Sequence, residues 1–184
     1  MRKLSVFNFI SLDGYYKDLN NSMQWHEHGG EEADFSKESS QGGDILLFGR
    51  VTYDMMYSFW PTDAAKQSMP EVADNMNRSE KIVFSNTLKK ADWDNTTIIS
   101  GGIVEQVKKL KATPGKDMTI LGSGTIVSQF AEADLIDKYI IMIDPIALGG
   151  GISIFTGMEK TLDLKLTSSR AFKSGVMLLN YDAV

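Results

Sequence analysis

The segment Ile120-Leu121-Gly122-Ser123-Gly124-Thr125-Ile126 decides the fold class, because it has the pattern of a strand that turns directly into a helix. The apolar residues 118–121 favour a strand, and the apolar residues after Thr125 recur at the spacing of one helix face. The two glycines let the main chain approach a ligand at a helix amino terminus, whose backbone N–H groups attract anions. The segment therefore predicts an α/β fold and a pyrophosphate site formed by four turn residues, Gly122, Ser123, Gly124 and Thr125.

Two further turns have a similar form. One joins an apolar run to a helical pattern through Gly49, and there Arg50 offers a guanidinium group and Thr52 a hydroxyl group. The other is a polar turn with Ser85 and Thr87, which follows another apolar run. Ligands of open α/β sheets bind at the carboxyl ends of the strands, where all three turns are expected. The alternative is that the glycines only shape the backbone and that the hydroxyl groups cap helices.

The rest of the chain alternates short apolar runs with amphipathic segments. Strands are predicted at residues 4–10, 44–48, 81–84, 97–99, 118–121 and 139–143. Helices are predicted after Thr52, from Ile103 to the stop signal Thr113-Pro114-Gly115, from about Thr125, and at residues 31–40. Residues 162–172 and 176–181 predict a closing antiparallel hairpin. This order predicts one domain, residues 1–184, in which a mixed sheet has helices on both faces.

The composition limits the function. The 184 residues include no Cys, which excludes disulfides, thiolate metal sites and a cysteine nucleophile. With 19 basic and 24 acidic residues the net charge is −5, which argues against nucleic-acid and anionic-membrane partners. No apolar run approaches the roughly 20 residues of a membrane span, and Asn8 and Asp13 rule out a signal-peptide pattern at residues 4–10. We therefore expect a cytoplasmic protein.

The two histidines, His26 and His28, lie in a polar segment with Glu27, Glu31 and Glu32 nearby. This grouping has the residue types of a metal site, but a solvated loop over the binding site explains it more simply. We therefore predict no metal site.

Five motifs occur in a fixed order along the chain: Phe7-Asn8-Phe9-Ile10-Ser11-Leu12-Asp13-Gly14, Leu47-Phe48-Gly49-Arg50-Val51-Thr52-Tyr53, Lys81-Ile82-Val83-Phe84-Ser85-Asn86-Thr87-Leu88, Leu121-Gly122-Ser123-Gly124-Thr125 and Pro145-Ile146-Ala147-Leu148-Gly149-Gly150-Gly151. In this order and spacing they resemble the dihydrofolate-reductase-like fold and, within it, the reductase domain at the carboxyl end of bifunctional riboflavin-biosynthesis proteins. The resemblance covers nearly the whole chain and is to the small stand-alone members of the family. It implies a three-layer α/β domain with a mixed, mostly parallel sheet and a carboxyl-terminal antiparallel hairpin.

The resemblance also implies NADPH as the cofactor. The residues that match the cofactor-binding segments are Gly49, Arg50 and Thr52 at the phosphates, Ser85 and Thr87 beside the adenosine 2′-phosphate, and residues 122–125 at the pyrophosphate. Dihydrofolate reductases have consecutive glycines joined by a cis peptide in the pyrophosphate turn. Here Ser123 interrupts the pair, which argues against the cis peptide.

At the substrate end, the resemblance implies Asp13 and a glycine loop made of Gly149, Gly150 and Gly151. Asp13 would bind substrate hydroxyl groups or supply a proton; alternatively it only caps its own turn. The loop would offer backbone donors. Dihydrofolate reductases instead place a carboxylate on the first helix. The corresponding position here is near Ala33, between Glu32 and Asp34, so no carboxylate is expected in register.

Together these features predict an NADPH-dependent reductase that transfers hydride to a small-molecule substrate. The resemblance implies 5-amino-6-(5-phosphoribosylamino)uracil, an intermediate of riboflavin synthesis, as that substrate, and a homodimer as the assembly. Two alternatives stay open: a reductase of dihydrofolate or another pterin, and a nucleotide-binding protein without turnover.

Overall fold

The computed structural model of the protein describes residues 1–26, 29–40 and 42–184. Within these ranges the strands are β1 (Leu4–Ser11), β2 (Ile45–Gly49), β3 (Lys81–Phe84), β4 (Thr96–Ile99), β5 (Met118–Leu121), β6 (Lys138–Asp144), β7 (Leu164–Ala171) and β8 (Met177–Ala183). They form one sheet in the order β4-β3-β2-β5-β1-β6-β8-β7. The first six strands pair in parallel, and β8 is antiparallel to both β6 and β7. The predicted mixed sheet with a closing hairpin is confirmed.

Helices cover both faces of this sheet. In the described ranges they are α1 (Gly30–Ser40), α2 (Arg50–Phe59), α3 (Asp63–Ser68), α4 (Pro70–Arg78), α5 (Ile103–Ala112) and α6 (Gly124–Glu132). Because side chains alternate along a strand, Val6 packs in the cluster that contains Val107 of α5 and Phe130 of α6. Phe7 points to the opposite face, where it packs with Phe35 of α1. None of these helices combines the length and apolarity that a bilayer crossing requires.

Two of the helices, α3 and α4, were not predicted. Both are short and mostly polar, with two apolar residues in α3 and, after Pro70, three in α4, so neither forms the longer apolar stripe on which the other predictions rest. Their signals are local. The Thr62 hydroxyl accepts a hydrogen bond from the Ala65 N–H at the start of α3, and Pro70 is the first residue of α4.

The register of the parallel strands aligns their carboxyl ends. Gly49 at the end of β2 pairs with Phe84 at the end of β3, and Phe7 pairs with Leu121 at the end of β5. The three turns identified in the sequence follow β2, β3 and β5 directly, so all of them lie at one edge of the sheet. This edge and the sheet face below α1, α2 and α4 position the candidate site.

One buried cation belongs to the scaffold. Lys81 of β3 is 1% exposed, and its ammonium donates hydrogen bonds to the carbonyl oxygens of Asn77, Ser79 and Asp94. The ammonium also lies 4.6 Å from the ring centroid of Trp93. Burial lowers the pKa of Lys81 to about 8. These contacts hold the end of α4 against β3, so Lys81 stabilises the packing of the fold.

Candidate active site

Ser123 joins two of the three turns at the carboxyl edge. Its hydroxyl accepts a hydrogen bond from the Gly49 N–H at 2.9 Å and donates one to the Leu121 carbonyl oxygen at 3.1 Å. A Cβ atom on Gly122 would lie 3.3 Å from Cγ2 of Thr52, so the turn after β5 also contacts α2 closely. The structure thus brings together Gly49, Thr52, Gly122 and Ser123, as the sequence predicts, but the Ser123 hydroxyl is already used inside the protein.

The backbone of the turn after β5 bends through two consecutive left-handed residues, Gly122 with φ of 60° and Ser123 with φ of 59°. None of the described peptide bonds is cis, which agrees with the expectation that Ser123 disfavours the cis peptide. Gly124 and the exposed Thr125 then open α6, and the next two N–H groups, those of Ile126 and Val127, donate to the Ser123 carbonyl oxygen at 2.8 Å and 3.0 Å.

The side chain of Tyr16 lies against this end of α6. A Cβ atom on Gly124 would be 2.8 Å from Cε1 of the Tyr16 ring and 3.0 Å from its hydroxyl oxygen. Burial raises the pKa of the Tyr16 phenol, and a hydrogen bond from the Gly124 backbone opposes the rise. The phenol thus stands where the sequence places a pyrophosphate, and an anion binds there only after the side chain rotates away.

Arg50 and Ser85 both lie at the carboxyl edge, because each directly follows one member of the Gly49–Phe84 pair, Arg50 as the first residue of α2. The Ser85 hydroxyl accepts hydrogen bonds from the Thr87 N–H at 3.2 Å and the Leu88 N–H at 3.0 Å. The Arg50 guanidinium donates from Nε to Asp54 at 2.7 Å and is 40% exposed. The guanidinium therefore presents positive charge beside the turn after β3.

A cavity of about 600 Å³ lies between the sheet and helices α1, α2 and α4, and we call it the helix cavity. It reaches the carboxyl-edge turns at Thr52 and Gly122. Apolar groups dominate its wall, among them Phe7, Leu46, Met55, Trp60, Leu121 and Ile140. The position of Asn8 in this wall is notable because its Oδ1 is buried and has no hydrogen-bond partner among the described residues.

Glu32 is the carboxylate that the first helix directs into the helix cavity. It is 7% exposed, whereas Asp34 on the same helix is exposed. The Glu32 carboxylate accepts a hydrogen bond from the Ser174 hydroxyl in the turn between β7 and β8. The structure thus gives the first helix a buried carboxylate in the cavity wall, whereas its register with the carboxylate of dihydrofolate reductases stays untested. Because α1 begins at Gly30, Glu32 lies in its first turn and faces the sheet.

A second cavity, of about 520 Å³, lies beside the turn between β7 and β8, and we call it the hairpin cavity. Glu32 lines both cavities, and Asp144, Trp25 and Lys173 line only the second. His26 lines the helix cavity, and its Nδ1 lies 2.9 Å and 3.0 Å from the two carboxylate oxygens of Asp144. The prediction of a solvated loop is therefore wrong for His26, which is buried; Glu27 and His28 lie outside the described residues.

Asp13 and the glycine loop contact each other directly. The Asp13 carboxylate accepts hydrogen bonds from the Ser11 hydroxyl at 2.6 Å, the Leu148 N–H at 3.1 Å and the Gly149 N–H at 2.7 Å. The Ser11 hydroxyl and the Leu148 N–H hold the pKa of this carboxyl below its usual range. Asp13 is thus an ionised acceptor that joins the turn after β1 to the loop, which does not favour proton donation.

The glycine loop packs on the protein's own chain. A Cβ atom on Gly151 would lie 2.1 Å from the Lys17 carbonyl oxygen, and one on Gly150 would lie 3.3 Å from Leu19. Neither these glycines nor Asp13 lines the helix cavity or the hairpin cavity. In the structure Asp13 binds the loop at Gly149, and Gly150 and Gly151 pack on the segment after β1; the substrate contact of Asp13, Gly149, Gly150 and Gly151 stays a prediction.

Comparison with known proteins identifies the family. The family model of the RibD C-terminal domain matches residues 2–178. The chain belongs to the RibD C-terminal domain family. Membership of this family indicates a reductase-type enzyme that acts on a small molecule.

Individual relatives of this RibD C-terminal domain agree with that placement. The Bacillus subtilis (strain 168) protein YyaP is 28% identical over 182 residues, which are 98% of this chain and 94% of YyaP. A putative riboflavin biosynthesis protein from Shewanella sp. PV-4 is 25% identical, with a TM-score of 0.76 and 99% of each chain covered.

Two more distant structures, each 13% identical, share the fold. A bifunctional deaminase and 5-amino-6-(5-phosphoribosylamino)uracil reductase from Thermotoga maritima has a TM-score of 0.72, covering all of this chain and 57% of its own. The dihydrofolate reductase of Enterococcus faecalis, complexed with NADP(H), has a TM-score of 0.64, covering 98% of this chain and 96% of its own. The dihydrofolate-reductase-like fold expected from the sequence is confirmed.

In this RibD C-terminal domain, sequence reasoning did not identify Tyr16 and Asp144 at the cavities, and it considered His26 and Glu32 but assigned neither to the site. Asp144 ends β6 and pairs in register with Ser11, and this long-range pairing brings it to His26. Glu32 had a sequence signal, since the first helix was the expected position for a substrate carboxylate. No local pattern marks Tyr16 or the His26–Asp144 pair.

Proposed function

We propose that the protein is an NADPH-dependent reductase whose substrate binds in the helix cavity. The observation that carries this proposal is the continuity of that cavity with the carboxyl-edge turns at Thr52 and Gly122, beside a buried carboxylate, Glu32. A reductase needs a cofactor and a substrate in one space, because hydride transfer requires their reacting atoms to be within contact distance.

The residues at the carboxyl edge fit NADPH. The buried Oδ1 of Asn8 has no partner among the described residues, and it lies near the Gly122 turn, where the carboxamide of a nicotinamide offers an N–H donor. The first N–H groups of α6 and the Thr125 hydroxyl would hold the pyrophosphate, once Tyr16 has moved. Arg50 and Thr52 would hold phosphate oxygens. When bound, NADPH supplies the hydride.

The turn with Ser85 and Thr87 would lie beside the adenosine 2′-phosphate, with Arg50 as the nearby cation. The Gly49–Phe84 register supports this assignment, since it starts both turns at the ends of neighbouring strands. The protein is acidic overall, so this cation has to act locally.

The proposed substrate is 5-amino-6-(5-phosphoribosylamino)uracil, whose opened sugar is reduced at its first carbon. Its ring carries N–H and amino donors, which the Glu32 carboxylate would accept. Lys17 in the wall of the helix cavity would balance the charge of the phosphate. The riboflavin-related proteins from Shewanella and Thermotoga support this substrate class.

A pterin is the second candidate substrate, and Glu32 is the observation that favours it. The resemblance to dihydrofolate reductases implies a carboxylate on the first helix, and Glu32 of α1 is buried in the cavity wall. A pterin ring offers the same N–H and amino donors, so the two substrates require the same test.

The test follows the oxidation of NADPH with each of the two substrates. We expect turnover of 5-amino-6-(5-phosphoribosylamino)uracil, which Glu32→Gln lowers by about a hundredfold because a neutral amide loses a charged acceptor of about 1.5–3 kcal/mol. Asp34→Asn is the matched control, since Asp34 is exposed on the same helix. Turnover of dihydrofolate alone would favour the pterin reductase. Binding of NADPH without oxidation would favour a nucleotide-binding protein.

The homodimer and the cytoplasmic location stay predictions. Light scattering of the purified protein measures its mass against the 20.4 kDa of one chain. A mass near this value contradicts the homodimer.

A further inference from the structure

His26 and Asp144 form a buried pair that the assigned roles leave unexplained. We propose that His26, oriented by Asp144, donates the proton that accompanies hydride transfer. This inference rests on the proposed function, because it assigns the acid of that same reaction. It concerns residues that neither the glycine turns nor the family motifs contain.

The geometry of the pair fixes the imidazole ring. The two side chains are 2% and 8% exposed, and Nδ1 of His26 lies within 3.0 Å of both Asp144 oxygens. An ionised carboxylate only accepts hydrogen bonds, so Nδ1 carries a hydrogen atom and donates a hydrogen bond to Asp144. The ring also stacks on Phe9, with 3.9 Å between the ring centroids. Two contacts from two strands, β6 and β1, therefore hold the ring in one orientation.

The position of His26 fits a role in the reaction. It lines the same helix cavity as Gly122, which belongs to the proposed cofactor turn, and Glu32, which is the proposed substrate acceptor. Asp144 lies behind the ring and lines the hairpin cavity. A substrate in the helix cavity would thus contact the imidazole, whereas Asp144 acts through it as a positioning residue.

Reduction of a C=O or C=N bond needs a proton as well as a hydride. Bound NADPH would supply the hydride to carbon, the π electron pair would move to the heteroatom, and Nε2 of the His26 imidazolium would donate the proton that the heteroatom takes. NADP⁺ is released with the reduced substrate, and a solvent proton restores the imidazolium. The Asp144 carboxylate balances the positive charge that the ring carries before each transfer.

The other ionised groups around the pair have different tasks. Glu32 and Lys17 line the helix cavity, and Glu31, Glu32 and Lys173 line the hairpin cavity. Glu32 is an acceptor for Ser174 and for the proposed substrate, and Asp13 is an ionised acceptor for its own loop. The helix cavity is also lined by Tyr16, Asp44 and Lys138; among its described lining groups, His26 is the one whose ring is oriented by the buried carboxylate of Asp144.

The test measures kcat, KM and their pH profiles for 5-amino-6-(5-phosphoribosylamino)uracil, together with the Kd for NADPH. His26→Gln keeps a donor for Asp144 but cannot exchange a proton at neutral pH. We expect its kcat to fall by about a hundredfold or more, with the Kd for NADPH within about twofold of the parent. The decline of kcat at high pH should disappear, and the solvent deuterium isotope effect on kcat should change.

Asp144→Asn is the second variant, and Asp182→Asn on the neighbouring strand β8 is its control, because Asp182 is exposed. Asp144→Asn should shift the high-pH decline of kcat, which a purely structural pair would leave in place, and it carries the test if His26→Gln does not fold. A His26→Gln variant with the parent's kcat and pH profile overturns the inference. If the parent oxidises NADPH with neither substrate, the proposed function fails first, and this inference falls with it.

Discussion

The turn Gly122-Ser123-Gly124 and the loop Gly149-Gly150-Gly151 have similar compositions, but their surroundings differ. The first lies between β5 and α6, beside a cavity and at a helix amino terminus. The second packs on residues 15–19 and binds the Asp13 carboxylate. Both were expected to face a ligand. The comparison teaches that a glycine run predicts a close approach of the backbone, and that only the tertiary neighbours determine whether a ligand or the chain itself approaches.

The largest effect should come from Gly151→Ala. The new Cβ atom would lie 2.1 Å from the Lys17 carbonyl oxygen, which already accepts a hydrogen bond from the Ile152 N–H. Because the obstacle is backbone, we expect the free energy of unfolding to fall by about 3 kcal/mol or more, or the protein not to fold. Urea denaturation measures this change.

Gly149→Ala is the matched control within the same loop. No atom lies within 4 Å of its new Cβ atom, and only the left-handed φ of 72° opposes the side chain. We expect a loss of about 1–2 kcal/mol. Equal losses for the two variants would contradict the packing argument.

The next effect concerns Gly124→Ala in the other turn. Its Cβ atom would crowd both the Tyr16 ring and an incoming pyrophosphate, so we expect the Kd for NADPH to rise at least about a hundredfold through the loss of two charge-assisted hydrogen bonds. Fluorescence titration with NADPH measures the Kd, and circular dichroism checks the fold.

Tyr16→Ala separates the two causes. The single variant should bind NADPH more tightly than the parent, because the phenol no longer occupies the end of α6. The double variant Tyr16→Ala/Gly124→Ala should fold well and still bind NADPH weakly. Restored binding of NADPH in the double variant would mean that a glycine is needed at position 124 only to make room for the Tyr16 ring.

The sequence was sufficient for those parts of the fold that local patterns determine. The strands at Lys81–Phe84 and Met118–Leu121 have their predicted bounds, because each is a short apolar run next to a polar or glycine turn. Helices α3 and α4 were not predicted because they are short and their sequences are mostly polar. At the site, the turns after β2, β3 and β5 were predictable from glycines and hydroxyl groups. The His26–Asp144 pair was not, since its members are 118 positions apart and meet only when β6 lies beside β1.

A smaller effect is expected for Arg50→Ala, which distinguishes the proposed 2′-phosphate site from the proposed pyrophosphate site. Arg50→Ala should weaken binding of NADPH by about ten- to a hundredfold and binding of NADH less, because one charge-assisted hydrogen bond to the 2′-phosphate is lost. Titrations of both cofactors against both proteins give four Kd values. Unchanged discrimination in Arg50→Ala would remove this side chain from the 2′-phosphate role. Asp54→Ala sharpens the test, since it releases the guanidinium from its partner at 2.7 Å and should strengthen the preference for NADPH.

The smallest effect should be that of Asp13→Asn. The Ser11 hydroxyl and the Leu148 N–H hold the pKa of Asp13 below its ordinary value of 3.8 in the folded protein. A carboxyl with a lowered folded-state pKa stabilises the protein above its unfolded-state pKa, and this contribution is lost as the pH falls through the folded-state value. The parent should therefore be more stable than Asp13→Asn at pH 7, and the difference should shrink once the pH falls below about 4. Urea denaturation at several pH values measures it.

The kcat and the Kd for NADPH should stay unchanged in Asp13→Asn, because the carboxylate lines neither cavity. A large fall in kcat with unchanged stability would instead return Asp13 to the reaction and reverse the distinction between the two glycine regions.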